Sequence, residues 1–127
     1  MATRRRNEAS KRCSSPRHEW QALEAVLGAE LLARRTGVSP VSVRRYLHGE
    51  RETPDPVASR LHYLATLVGD LSGAYNDFGI RRRFDRPRIA LEGKSPAAIL
   101  EGDWNPADPE PRRVRALATS LTASPAT

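Results

Sequence analysis

The sequence is poor in cysteine. Cys13 is the only one, and it lies in a polar N-terminal stretch. A single thiol cannot form an intramolecular disulfide, and a cysteine-based zinc site would need ligands that this chain lacks. Such usage predicts a reducing, cytoplasmic setting. Long apolar runs are missing too. No stretch approaches the roughly 18 residues that a membrane-spanning helix requires, so no membrane is expected as a partner. The basic start Met1-Ala-Thr-Arg4-Arg5-Arg6 has no apolar segment behind it to make a secretory signal. His18, His48 and His62 show no ligand spacing, which predicts no metal and no cofactor. There is no glycine-rich phosphate loop, no placeable Ser/His/Asp set and no recognisable carboxylate pair, so the chain is expected not to be an enzyme.

What is present is basic charge, unevenly placed. The 127 residues hold 21 Lys and Arg against 15 Asp and Glu, a net charge of +6. Residues 1–17 carry six basic side chains (Arg4, Arg5, Arg6, Lys11, Arg12, Arg17) and the single acid Glu8, so almost all of the surplus sits in this segment. It reads as a disordered arm. A basic surplus suggests an anionic partner such as nucleic acid. Arg4, Arg5 and Arg6 are candidates for an adjacent minor groove, with a solvated tail as the alternative.

Beyond the arm, apolar spacing and helix-start signals alternate. Trp20, Leu23, Val26 and Leu27 recur at helical spacing, and Gly28 interrupts them. A second helix is predicted over Ala29–Thr36, ending at Gly37. Ser39-Pro40 opens a third that runs to His48, because Ser is a good N-cap and Pro suits a first helical turn. Asp55-Pro56 repeats that signal. The seam Val57, Leu61, Leu64, Val68, Leu71, Tyr75 and Phe78 follows, with Gly79 as its end. Gly69 and Gly73 each cost roughly 1 kcal/mol against Ala in a helix interior, which makes a kink or break there plausible. Ile80–Phe84 reads as one helical turn. Ser95-Pro96 starts a short helix to Leu100, residues 102–111 read as a loop, and Pro111–Leu121 as a last helix with Val114, Leu117, Ala118 and Leu121 inward. No strand is predicted. The expected fold is all-α, with a helix-turn-helix region (18–55), a small helical C-terminal domain (56–121) and a flexible tail (122–127). Leu61, Leu64, Val68 and Leu71 are the candidate dimerisation seam, since operators commonly pair half-sites, although an apolar face of this length is first of all needed for the intramolecular core.

The segment 29–48 carries the sharpest functional signal. Ala33 is small enough to let a second helix approach, Gly37 supplies the turn, and Val38, Val43 and Leu47 fill the space between. At 100° per residue, Val43, Tyr46 and Leu47 share one side of the second helix, while Val41, Arg45 and His48 point away, flanked by Ser42 and Arg44. Arg forms bidentate contacts with guanine, and a Val methyl can touch a thymine methyl. Ser39 and Ser42 suit phosphates near the helix start. The predicted DNA-reading residues are therefore Ser39, Val41, Ser42, Arg44, Arg45 and His48. An ordinary helical hairpin with solvated arginines is the alternative.

This stretch, ending in Ser42–Arg51, resembles the helix-turn-helix of Xre-type bacterial regulators. A second resemblance runs through roughly residues 61–121. The pattern Ile80-Arg81-Arg82-Arg83-Phe84, Pro87, Leu91-Glu92-Gly93-Lys94-Ser95-Pro96, Ile99-Leu100, Val114 and Leu117 is similar to the toxin-binding domain of Xre/MbcA/ParS-type antitoxins. Phe84 stands where that family usually has Trp. The resemblance implies an all-α homodimer that binds its own double-stranded operator, represses transcription and neutralises a RES-domain toxin that consumes NAD. It places Arg82, Phe84, Gly93, Lys94, Ser95 and Pro96 at the partner surface. A stand-alone phage- or plasmid-type repressor, or a protein-interaction module with a vestigial helix-turn-helix, remain open alternatives.

Overall fold

The computed structural model describes residues 16–123. Arg4, Arg5, Arg6 and Cys13, the Leu121 side chain and residues 124–127 lie outside the described residues. Within them every regular element is helical: α1 (Pro16–Leu27), α2 (Ala29–Thr36), α3 (Pro40–Leu47), α4 (Asp55–Ser72), α5 (Asp77–Asp85), a 3-10 turn at Ile89–Leu91, α6 (Pro96–Ile99) and α7 (Pro109–Ala123). The fold is all-α.

Local chemistry sets most helix starts. Ser39, Asn76 and Ser95 each accept a hydrogen bond on a side-chain oxygen, from the backbone N–H of Ser42, Gly79 and Ala98 respectively. Each satisfies a donor that has no partner within its own helix. Asp55 differs from expectation. It lies inside the first turn of α4 and makes no side-chain cap, so its negative charge acts only on the positive end of the helix dipole. The last helix starts at Pro109, two residues early. Pro109 and Pro111 both fit a first turn, where a missing N–H costs nothing.

The seam residues form one element only as far as Ser72. Asn76 opens a new helix, so Gly79 lies inside α5 and does not terminate anything. Phe78, the last expected seam position, is 60% exposed. Gly69 stays within α4, and the break falls at Gly73.

One apolar cluster runs through both halves of the chain, from Trp20, Leu32 and Val43 to Phe84, Leu100 and Val114. α4 is its axis, packed against α1, α2, α5 and α7. Leu61 and Leu64 have no exposed surface, and Val68 and Leu71 are buried. This corrects the dimerisation seam. Those four side chains are already covered by their own chain, which leaves little of their surface for a second copy to cover.

Candidate nucleic-acid interface

α3 is anchored from behind. Val43 is fully buried, Leu47 half-buried, and Tyr46 stacks on Trp20 of α1, with centroids 4.9 Å apart and planes within 15°. The Trp20 indole N–H donates to Thr53 Oγ1 at 2.9 Å, tying the connection after α3 to α1. Arg17 Nε donates to the Leu47 carbonyl at 3.3 Å, at the end of α3.

The opposite side of α3 is open. Arg44, Arg45 and His48 are exposed, and Val41 is 55% exposed. Among the described residues no carboxylate pairs with Arg44 or Arg45. Ser42 is half-buried beside Ser39, their hydroxyls 3.1 Å apart. The Ser39 oxygen is already used as the cap, which leaves it less free for a phosphate than the sequence suggests. The expected reading residues thus come together on the outer face and first turn of one helix.

The turn before α3 is held by the C-terminal half. Gly37 closes α2 in the left-handed region, with φ +79°. A Cβ there would collide with the Gly102 backbone carbonyl. Three successive carbonyls at the end of α2 are satisfied from far along the chain. Gly102 N–H donates to Arg34 O at 3.3 Å, the Trp104 indole to Arg35 O at 2.7 Å, and Arg60 Nε to Thr36 O at 2.9 Å. Arg35 reciprocates. It is 2% exposed, and its Nη1 donates to the carbonyls of Ala97 and Leu100, the latter at 3.0 Å, while Nη2 lies 3.5 Å from Glu101. Burial holds its pKa below the ordinary arginine value, and Glu101 opposes that shift. Arg35 therefore belongs to the framework, not to a basic DNA-facing patch.

Trp104, Arg60 and Arg35 were not legible as a unit. Trp104 sits in a proline- and aspartate-rich stretch that reads as loop. Arg60 carried one signal: it lies three residues after Val57 and four before Leu64, on the apolar face of α4, where a cation needs a buried partner.

The C-terminal candidates divide. Phe84 is 2% exposed and belongs to the core, so its ring packs within its own chain rather than standing out at the surface. Ser95 caps α6, and Pro96 is half-buried in its first turn. Gly93 is exposed with φ +82°, next to Glu92 at φ 59°, and this left-handed pair turns the chain into Ser95. Lys94 is exposed and paired with Glu110 Oε2 at 2.5 Å, which raises its pKa. Arg82 is exposed, with its guanidinium 5.8 Å from the Phe78 ring centroid. Arg82, Gly93 and Lys94 are accessible; Phe84, Ser95 and Pro96 do structural work.

No protein-family model matches this chain, and no curated protein or solved structure is significantly similar to it. Among the described residues no helix is long and apolar enough to cross a membrane.

Proposed function

We propose that this chain is a sequence-specific, double-stranded-DNA-binding transcriptional repressor that reads its operator with α3. One observation carries the reading. α3 is fastened by Val43, Tyr46 and Leu47 on one side and leaves Val41, Arg44, Arg45 and His48 uncovered on the other, without acidic partners among the described residues. A helix with that asymmetry fits a major groove. Arg44 and Arg45 supply planar donor forks for guanine O6 and N7, and the Val41 methyl groups suit a thymine methyl. The stacked Trp20–Tyr46 pair and the Gly102–Trp104 clasp keep the helix rigid, which lowers the ordering cost of binding.

The test is fluorescence anisotropy with duplexes from the chain's own upstream region against scrambled duplexes. Arg45→Ala should weaken specific binding by about 1–3 kcal/mol and relax discrimination at the base it contacts. Unchanged specific affinity in that variant refutes the assigned face.

A second reading makes this repressor the antitoxin of a RES-domain toxin. The resemblance of residues 80–100 supports it, as does the accessible position of Arg82, Gly93 and Lys94. A neighbouring reading frame for such a toxin, and rescue of its toxicity by co-expression of this chain, would support the pair. Failure of rescue leaves a stand-alone repressor. If half-sites are paired by a homodimer, the contact must use a surface other than the α4 seam.

A further inference from the structure

Among the described residues, some cations stand beside a carboxylate and others do not. Arg35, Arg60, Lys94, Arg113 and Arg115 each stand beside a carboxylate, from Glu101, Asp103, Glu110, Glu92 and Asp70 in turn. Arg82, Arg83, Arg86 and Arg88, on and just after α5, have no such partner among the described residues, although Asp85 lies in the same stretch. Burial first, then the charges of Arg88 and Arg86, hold Arg83 below the ordinary arginine pKa.

Two of these side chains, Arg82 and Arg83, are also held by neighbouring rings. Arg82, Arg83 and Arg86 line a surface groove of about 310 Å³ together with Tyr75 and Gly79. Arg83 Nη1 donates to the Tyr75 hydroxyl at 3.0 Å, and its guanidinium lies 5.0 Å from that ring's centroid. The Tyr75 oxygen accepts there, which leaves its own hydrogen to donate to another acceptor. Arg82 leans on the Phe78 ring. Guanidinium forks fixed in this way lose less side-chain freedom on meeting an oxyanion and match the bidentate geometry of phosphate.

Position relates the groove to α3. α1 works as a strut between them. Arg17 near its start bonds the Leu47 carbonyl of α3, and the Val26 carbonyl near its end accepts from Arg81 Nη1 of α5 at 2.7 Å. Arg17 and Val26 lie about 14 Å apart along α1 at 1.5 Å per helical residue.

We propose that the Arg82–Arg83–Arg86 groove is a second phosphate-binding site, holding the backbone of duplex DNA that flanks the segment read by α3. This rests on the DNA-binding reading above and adds to it a contact that carries affinity without sequence preference. A phosphodiester backbone fits a cluster of arginines without ion-paired carboxylates because its charges repeat at regular spacing.

The experiment measures binding of wild type, Arg82→Gln/Arg86→Gln, Arg86→Glu and Arg45→Ala to upstream and scrambled duplexes across a salt series. Arg82 and Arg86 are both exposed, so unchanged circular dichroism and melting are expected. In Arg82→Gln/Arg86→Gln the slope of log K against log salt should shrink by about 0.9 for each phosphate no longer neutralised, about 1.8 at most. Affinity should fall by the same factor for upstream and scrambled DNA, and Arg86→Glu should weaken both further. An unchanged slope and affinity in both groove variants, while Arg45→Ala loses specificity, overturns the groove and leaves the DNA-binding reading standing. Absence of specific duplex binding by wild type overturns both. Unchanged DNA binding with lost binding to poly-glutamate would overturn the phosphate site in favour of an acidic protein partner.

Discussion

Gly37 and Gly93 provide a matched pair of substitutions. Both lie in the left-handed region, at φ +79° and +82°. Alanine at either position incurs the same backbone strain, roughly 1–2 kcal/mol. Their surroundings differ. A Cβ on Gly93 meets nothing within 4 Å, whereas a Cβ on Gly37 runs into the Gly102 carbonyl, which is backbone and cannot rotate aside. Relief at Gly37 requires the 100–104 segment to move. That movement puts at risk the bonds from Gly102 N–H to Arg34 O and from the Trp104 indole to Arg35 O, 3.3 and 2.7 Å long. A buried polar group left unpaired costs about 1–3 kcal/mol. Gly93→Ala should therefore lower stability by about 1–2 kcal/mol, and Gly37→Ala by about 2–5 kcal/mol once one such unpaired group is added. Urea denaturation followed by tryptophan fluorescence checks this, with m-values compared to confirm that the same surface is exposed. A Gly37→Ala chain that fails to fold while Gly93→Ala folds is the same result in stronger form. Equal destabilisation of the two variants would refute the clasp between the α2–α3 turn and the C-terminal loop.

Other expectations follow from the same interactions. Trp104→Phe keeps an aromatic ring against Tyr63, now at 4.8 Å and 67°, but removes the donor to Arg35 O, and should cost about 1–3 kcal/mol in urea unfolding. Unchanged stability would mean that the carbonyl finds another partner. Leu64→Ala should cost about 2–5 kcal/mol. Leu64→Glu should abolish the folded state at every concentration, by circular dichroism; a folded monomer from a dimeric wild type would restore the seam as an interface. Arg45→Ala should leave the urea midpoint within about 0.5 kcal/mol of wild type, since it is exposed and unpaired, so any weakening of DNA binding cannot be assigned to unfolding.

Much of the helical framework was legible. Ser39-Pro40 and Ser95-Pro96 start helices because a cap and a proline act within four residues of themselves. The inward positions of α3 followed from helical spacing, and Val43 and Tyr46 are buried as that spacing requires. Asn76 is a helix start hidden within an apparently continuous apolar repeat, so Tyr75 falls in the connection and Phe78 in α5, not on α4.

The outward face of α3 was legible for the same reason as its inward one, since both depend on one helix alone. The framework around it was not. Arg35 and Arg45 are each an arginine near the end of a short helix, and their local sequences do not separate them. Arg45 faces outward, while Arg35 is enclosed by the carbonyls of Ala97 and Leu100, more than sixty residues away. Helix starts and amphipathic faces depend on neighbours within a turn or two, so the sequence by itself determined them. Which cations became framework, and which stayed open to an anion, depended on distant carbonyls and carboxylates that only tertiary packing brings within hydrogen-bond range.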